Sequence, residues 1–168
     1  MRQLQSSLHL KEVVGDDPGR ARSLTEIARA LIAKGDYKEA ERTLGEAADI
    51  TKRYGDTTEN ARIILVRARL HRETGQLTDA VKRYKEAIAA FDTLGMRVDL
   101  ATACNELGNV LIRQKRSSDA APYLARALQS LKPFQEPWRP ETAHRPARST
   151  RRARASLRRA ASQASSRR

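Results

Sequence analysis

The chain repeats itself at a spacing of 40 residues, and that repeat restricts its fold more than any other feature. Ala21, Ala61 and Ala101 align, as do Ala28, Ala68 and Gly108. Further along the same register hold Ala40, Ala80 and Ala120, then Leu44, Tyr84 and Leu124, then Ala47, Ala87 and Ala127. A period of about 20 to 50 residues marks a solenoid, whose units are each too small to bury an apolar face alone and must stack on a neighbour. The pattern predicts an all-α architecture of about seven helices arranged as antiparallel pairs.

Each period reads as a helical hairpin. In the first, Pro18 suits an opening turn, where its missing N–H has no partner to lose. Leu24, Ile27, Ala28 and Leu31 then recur at helical spacing. Gly35-Asp36 breaks the helix, with glycine suited to a left-handed helix end and Asp36 expected to cap the next helix through its side chain. The second helix carries Ala40, Leu44, Ala47 and Ile50 and stops at Gly55. Small alanines on both helices let the backbones approach closely. The second period repeats this with Gly75 and Gly95. In the third, Lys115-Arg116 replaces the glycine pair, Ser117 or Ser118 is left to cap the last helix, and Pro133 predicts its end near Leu131.

Two positions break the apolar pattern. Arg67 and His71 occupy sites filled by Ile27/Leu107 and Leu31/Leu111 in the other units. A buried arginine without a partner is costly, so Arg67 is expected to snorkel outward or pair with a carboxylate. Cys104 is expected to act as a small core residue.

The organisation follows: residues 1–14 as the second helix of a preceding unit, 15–132 as three hairpins, and 133–168 as a disordered Pro/Arg/Ser/Ala-rich tail. The half-repeat at the start means either that the chain opens on a half-repeat cap or that it is the C-terminal part of something longer. Charge follows the same division. Of the net +13, residues 133–168 hold ten arginines against two glutamates, leaving about +5 for the repeats. No run reaches the roughly 18 apolar residues of a membrane span, and no secretory signal is legible at the N-terminus. With a single cysteine, the default compartment is the cytoplasm.

The segment Leu31, Gly35-Asp36-Tyr37, Glu39-Ala40, Leu44 and Ala47 reads LxxxGDYxEAxxxLxxA, and Leu107-Gly108 with Ala120-Leu124-Ala127 restates its key positions. This resembles the tetratricopeptide repeat, in the variety with a 40-residue period found in bacterial signalling and transcriptional regulators and in cargo-adaptor light chains. The resemblance implies a right-handed superhelix whose first helices line a concave groove, and a protein–protein interaction module that binds an extended peptide or a partner's helix.

With the packing positions removed, the first helices offer Arg22, Thr25, Arg29 and Ile32, then Arg62, Leu65, Arg69 and Arg72, then Thr102, Asn105, Asn109 and Arg113 to the inner face. Arg29, Arg69, Arg72, Asn105, Asn109 and Arg113 are the candidate peptide-binding residues. Arginine forks bind carboxylates bidentately, which suits an acidic peptide or a C-terminal carboxylate, and the asparagine amides could clamp a peptide backbone. The competing account is a set of ordinary solvated charges. No Gly-rich phosphate loop, GxSxG or HExxH occurs, and His9, His71 and His144 fall at no metal-ligand spacing, so neither an enzyme nor a cofactor or metal is expected.

The tail offers a second class of function. Arg148, Arg151, Arg152, Arg154, Arg158 and Arg159 could attract nucleic acid or anionic lipid non-specifically, as part of a longer regulator. Alternatively the tail is a solvated, unselected extension, such as the product of a shifted reading frame. The last hairpin should expose apolar surface around Leu124, Leu128 and Leu131 unless Phe134 and Trp138 cover it, which predicts weak self-association through that end.

Overall fold

The computed structural model describes residues 17–135 as six helices: α1 (Asp17–Lys34), α2 (Tyr37–Tyr54), α3 (Thr57–Glu73), α4 (Leu77–Thr93), α5 (Arg97–Arg113) and α6 (Ser117–Gln135). Among the described residues there is no strand. No described helix is long and apolar enough to cross a membrane. The half-repeat expected at residues 1–14, the tail beyond Gln135 and the cover expected from Phe134 and Trp138 fall outside the described residues and side chains.

A single turn builds all five connections. Gly35, Gly55, Gly75 and Gly95 have φ of +86°, +68°, +78° and +68°, and Lys115 takes the fifth place at +61°. In each, the amide after the left-handed residue donates to the carbonyl five residues earlier: Asp36 to Leu31 at 3.0 Å, Asp56 to Thr51 at 3.0 Å, Gln76 to His71 at 2.8 Å, Met96 to Phe91 at 2.9 Å and Arg116 to Leu111 at 2.9 Å. This closes the orphan carbonyls of a helix end. The next helix starts one residue later. The backbone period is therefore 20 residues, half the sequence period, and the side chains alone distinguish the first helix of a hairpin from the second.

Three local expectations are corrected. The Asp36 side chain makes no capping hydrogen bond. Of the first two turns' aspartates it is Asp56 that caps, accepting from the Glu59 amide at 2.9 Å. The backbone explains the contrast: ψ is 60° at Asp36 and 87° at Asp56, and only the more extended value swings the carboxylate over the helix end. Ser117 and Ser118 lie inside the first turn of α6, and the carbonyl of Arg116 accepts its opening bonds. Lastly, α6 runs through Pro133 to Gln135. Proline's fixed φ is a helical value, so one proline in the last turn forfeits a hydrogen bond without ending the helix.

Packing follows the alanine register. Ala28, Ala40 and Ala47 are fully buried, as are Ala68, Ala80 and Ala87. At Gly108 even a methyl would not fit as the side chains stand: its Cβ would lie 2.5 Å from Leu124 Cδ2. The helix α3 serves two cores. Ile63, Val66 and Leu70 join the cluster of α1 and α2, whereas Ala61, Leu65 and Ala68 join that of α4, α5 and α6. Arg67 lies off both faces, and its Nε donates to Glu41 Oε1 of α2 at 3.2 Å, so the expectation of a carboxylate partner holds. Cys104 is a fully buried core residue, and burial pushes its thiol pKa up.

Candidate peptide-binding groove

The first helix of every hairpin contributes to one cleft of about 260 Å³, lined among others by Arg22 and Arg29 of α1, Arg62 and Arg69 of α3, and Asp99 and Thr102 of α5. Repeat stacking places these helices side by side, and a spacing of 37 residues connects their charges. Arg22 Nε lies 4.0 Å from Glu59 Oε2, Arg62 Nη2 lies 3.9 Å from Asp99 Oδ2, and Arg69 Nη2 lies 2.6 Å from Glu106 Oε1. Each arginine thus reaches a carboxylate on the first helix of the next repeat. The ladder is strongest at Arg69. Its Nε donates to both Glu106 oxygens, at 2.9 and 3.1 Å, and the pair is only 17% and 18% exposed. A bidentate pair largely withdrawn from water is stronger than an exposed one.

Glu106 has a second donor. The Tyr84 hydroxyl, from the fully buried ring on α4, gives its hydrogen to Glu106 Oε2 at 3.0 Å. Burial, reinforced by the Glu106 charge, pushes the Tyr84 pKa well above its ordinary value. Arg72 Nη1 lies 3.4 Å from the Tyr84 hydroxyl and 3.8 Å from Glu106 Oε2, and Arg72 also pairs with Glu73. Burial weakens the Arg72 charge, but the surrounding oxygens of Tyr84, Glu73 and Glu106 outweigh it and raise its pKa. Two of the six candidate residues, Arg69 and Arg72, are thus engaged with the chain's own acids.

Arg29 is different. The position 37 residues on is Val66, which is buried in the first core and accepts nothing. Arg29 turns instead to Glu26 on its own helix, Nη1 to Oε1 at 2.9 Å, with both side chains 48% exposed. Arg29, Arg69 and Arg72 line a second cavity of about 570 Å³ with Ile32, Lys34 and Tyr37. The other candidates lie elsewhere. Asn109 and Arg113 line a neighbouring cleft with Arg72, Glu73 and Ile112. Asn105 faces an apolar groove with Leu124 and Leu128. The structure therefore brings Arg29, Arg69 and Arg72 together, connects Asn109 and Arg113 to them through Arg72, and leaves Asn105 apart.

The inner-face list omitted the groove's organising acids, Glu59, Asp99 and Glu106, together with Tyr84. Along the first helices of the hairpins, an arginine with an acid 37 residues later occurs at 22/59, 62/99 and 69/106 and fails at 29/66; that spacing was the available signal. Glu59 is 2% exposed, held by Arg62 at 3.4 Å through Oε2, while its Oε1 has no protein hydrogen-bond donor among the described residues.

A cleft lined by the first helices of stacked hairpins defines a helical-repeat binding scaffold. Tetratricopeptide repeat models match residues 19–93 and 65–136, and the chain belongs to the tetratricopeptide repeat family. Such repeats generally mediate protein–protein interaction, and the family is typically a non-enzymatic scaffold. No curated protein matches the chain. Among solved structures it is similar to the crystal structure of BtubC (BKLC) from P. vanneervenii, with a TM-score of 0.67 and 18% identity over 79% of this chain. That similarity concerns the fold. The chain spans 56% of that protein's length.

Proposed function

We propose that the chain captures an acidic segment of a partner protein, with Arg29 as the principal contact. The observation that supports this most is the missing acid in the ladder. Where Glu106 satisfies Arg69, the matching place opposite Arg29 holds Val66. A carboxylate from a partner would supply, from the solvent side, the acceptor that Val66 does not provide. Displacing Glu26 costs little, because an exposed ion pair contributes about 0–1 kcal/mol. Lys34 adds positive charge to the same cavity, and Ile32 and Tyr37 give it an apolar wall. Arg72, Asn109 and Arg113 extend the path towards α5, where amides can hold a peptide backbone. The reading is of a non-catalytic binding module at work in the cytoplasm.

The test is titration of fluorescent peptides carrying two or three Asp/Glu residues beside an aliphatic residue, against matched Asn/Gln peptides. We expect the acidic series to bind, and Arg29→Glu to weaken it about tenfold or more, the scale of one lost charge-assisted contact. Equal binding of acidic and neutral series, or indifference to Arg29→Glu, would dismiss the proposal. The arginines between Arg148 and Arg159 support a second, non-specific contact with nucleic acid. A chain lacking residues 133–168 should lose such an association while keeping peptide capture.

A further inference from the structure

The register that sets Val66 opposite Arg29 also orders the last turn of each first helix. One place there holds Ala33 on α1, Glu73 on α3 and Arg113 on α5, so a neutral residue, an acid and a base succeed one another across the inner face. Glu73 pairs with Arg72 at 2.7 Å, and that level satisfies itself. Arg113 is exposed and has no ion pair or side-chain hydrogen bond among the described residues. Every other inner-face arginine has a carboxylate within 4.0 Å. Asn109, one turn before Arg113, is exposed as well, and its side-chain amide has no hydrogen bond among the described residues.

The cavity beside Arg29, about 570 Å³, and the cleft beside Arg113, about 470 Å³, share Arg72 and Glu73 as a common wall. They are the same hollow at two successive junctions. Arg29 keeps only an exposed pair with Glu26 and Arg113 keeps none, so a base with donors not engaged by the chain stands on each side of the neutral Arg72–Glu73 level. Packing sets the distance between them. Adjacent helices lie about 8–10 Å apart, so α1 and α5, with α3 between them, are separated by about 16–20 Å. Arginine side chains reaching inward from both shorten that gap to the span of about four extended residues, about 13 Å. Residues four apart also share one face of an extended chain, because its side chains alternate. Adjacent acids lie about 3 Å apart along the chain on opposite faces and serve one base only, whereas acids eight apart, about 26 Å, overshoot.

Resting on the acidic-segment reading, we propose that the guest is an extended segment with two carboxylates about four residues apart, the first held by Arg29 and the second by the fork of Arg113. The Asn109 amide donates to a backbone carbonyl beside the second acid. The residues between the acids are uncharged, since a third carboxylate there would meet Glu73. The test uses the full chain and fluorescent peptides blocked at both ends, built of serine and glutamine with a leucine beside a single Glu, or with a second Glu one, four or eight residues further on. The readout is the ratio of the Kd of the one-acid peptide to that of the two-acid peptide. It should be about five at the four-residue spacing, the scale of one added ion pair near the surface, and close to one at the other spacings. Arg113→Gln should return the four-residue ratio to about one, whereas a structural fault would weaken both peptides alike and leave the ratio standing. A ratio near one at every spacing overturns the proposal, as does a ratio independent of spacing or one untouched by Arg113→Gln. The acidic-segment reading fails on a different result, a one-acid peptide that binds no better than its glutamine match.

Discussion

The two repeat junctions use the same positions with different chemistry. At the first, Leu44 of α2 and Val66 of α3 share an apolar cluster, and Arg29 above them has only a neighbour on its own helix. At the second, the same places hold Tyr84 of α4 and Glu106 of α5, and Arg69 is drawn into a bidentate pair. The tyrosine and the glutamate are one device: a carboxylate is acceptable there because the ring supplies a hydroxyl and the arginine a fork. The apolar junction leaves Arg29 paired only with Glu26 of its own helix, whereas the polar one ties Arg69 to the next repeat. A scaffold with identical junctions would tie this arginine to the next repeat at every level or at none.

The largest effect should come from converting the second junction into the first. Glu106→Val leaves Arg69 and the Tyr84 hydroxyl without their acceptor, which should cost about 3 kcal/mol in urea unfolding. Adding Tyr84→Leu recreates the Leu/Val pairing and should recover about half of that loss. Strict additivity of the two changes would show that they are not coupled. Next, Arg69→Ala should destabilise the protein by about 2 kcal/mol, whereas Arg29→Ala should change the free energy of urea unfolding by no more than about 0.5 kcal/mol, as for an exposed pair. Equal losses at both positions would erase the distinction between junctions.

Alkaline pH sharpens the contrast, since Leu44 has nothing to titrate. Below about pH 10 both folded and unfolded chains keep the Tyr84 proton. Above it the unfolded chain releases the proton first, because the folded pKa is raised. Stability is therefore lost as pH rises, by up to about 1.4 kcal/mol per pH unit from this group. Tyr84→Phe should flatten the decline between pH 9 and 11 by roughly that amount, measured as the change in urea midpoint against the unaltered chain. A further effect of comparable size lies in the turns. Lys115 holds φ +61° where the other four turns have glycine, so Lys115→Gly should stabilise by about 1 kcal/mol in the same assay.

How far the sequence could be read depended on the range of each interaction. Helix starts and stops were legible because Gly35, Gly55, Gly75 and Gly95 act within a few residues. The hairpin packing was legible because alanines return every 40 positions. The missing cap at Asp36 was not legible because a side-chain cap depends on the local ψ, 60° at Asp36 and 87° at Asp56, although both residues follow a left-handed glycine. The end of α6 was misread because Pro133 disfavours helix without forbidding its last turn.

By itself the sequence determined the six described helices, their order and their pairing, because turn chemistry and side-chain size are local and, once repeated, leave one way to stack. Which inner-face arginines are tied to the next repeat was decided by the tertiary structure. Arg29 and Arg69 share a register and a residue type, and nothing local distinguishes them. The difference lies 37 residues away, in Val66 and Glu106, and only the stacking of one hairpin on the next brings those side chains within reach of the guanidinium groups.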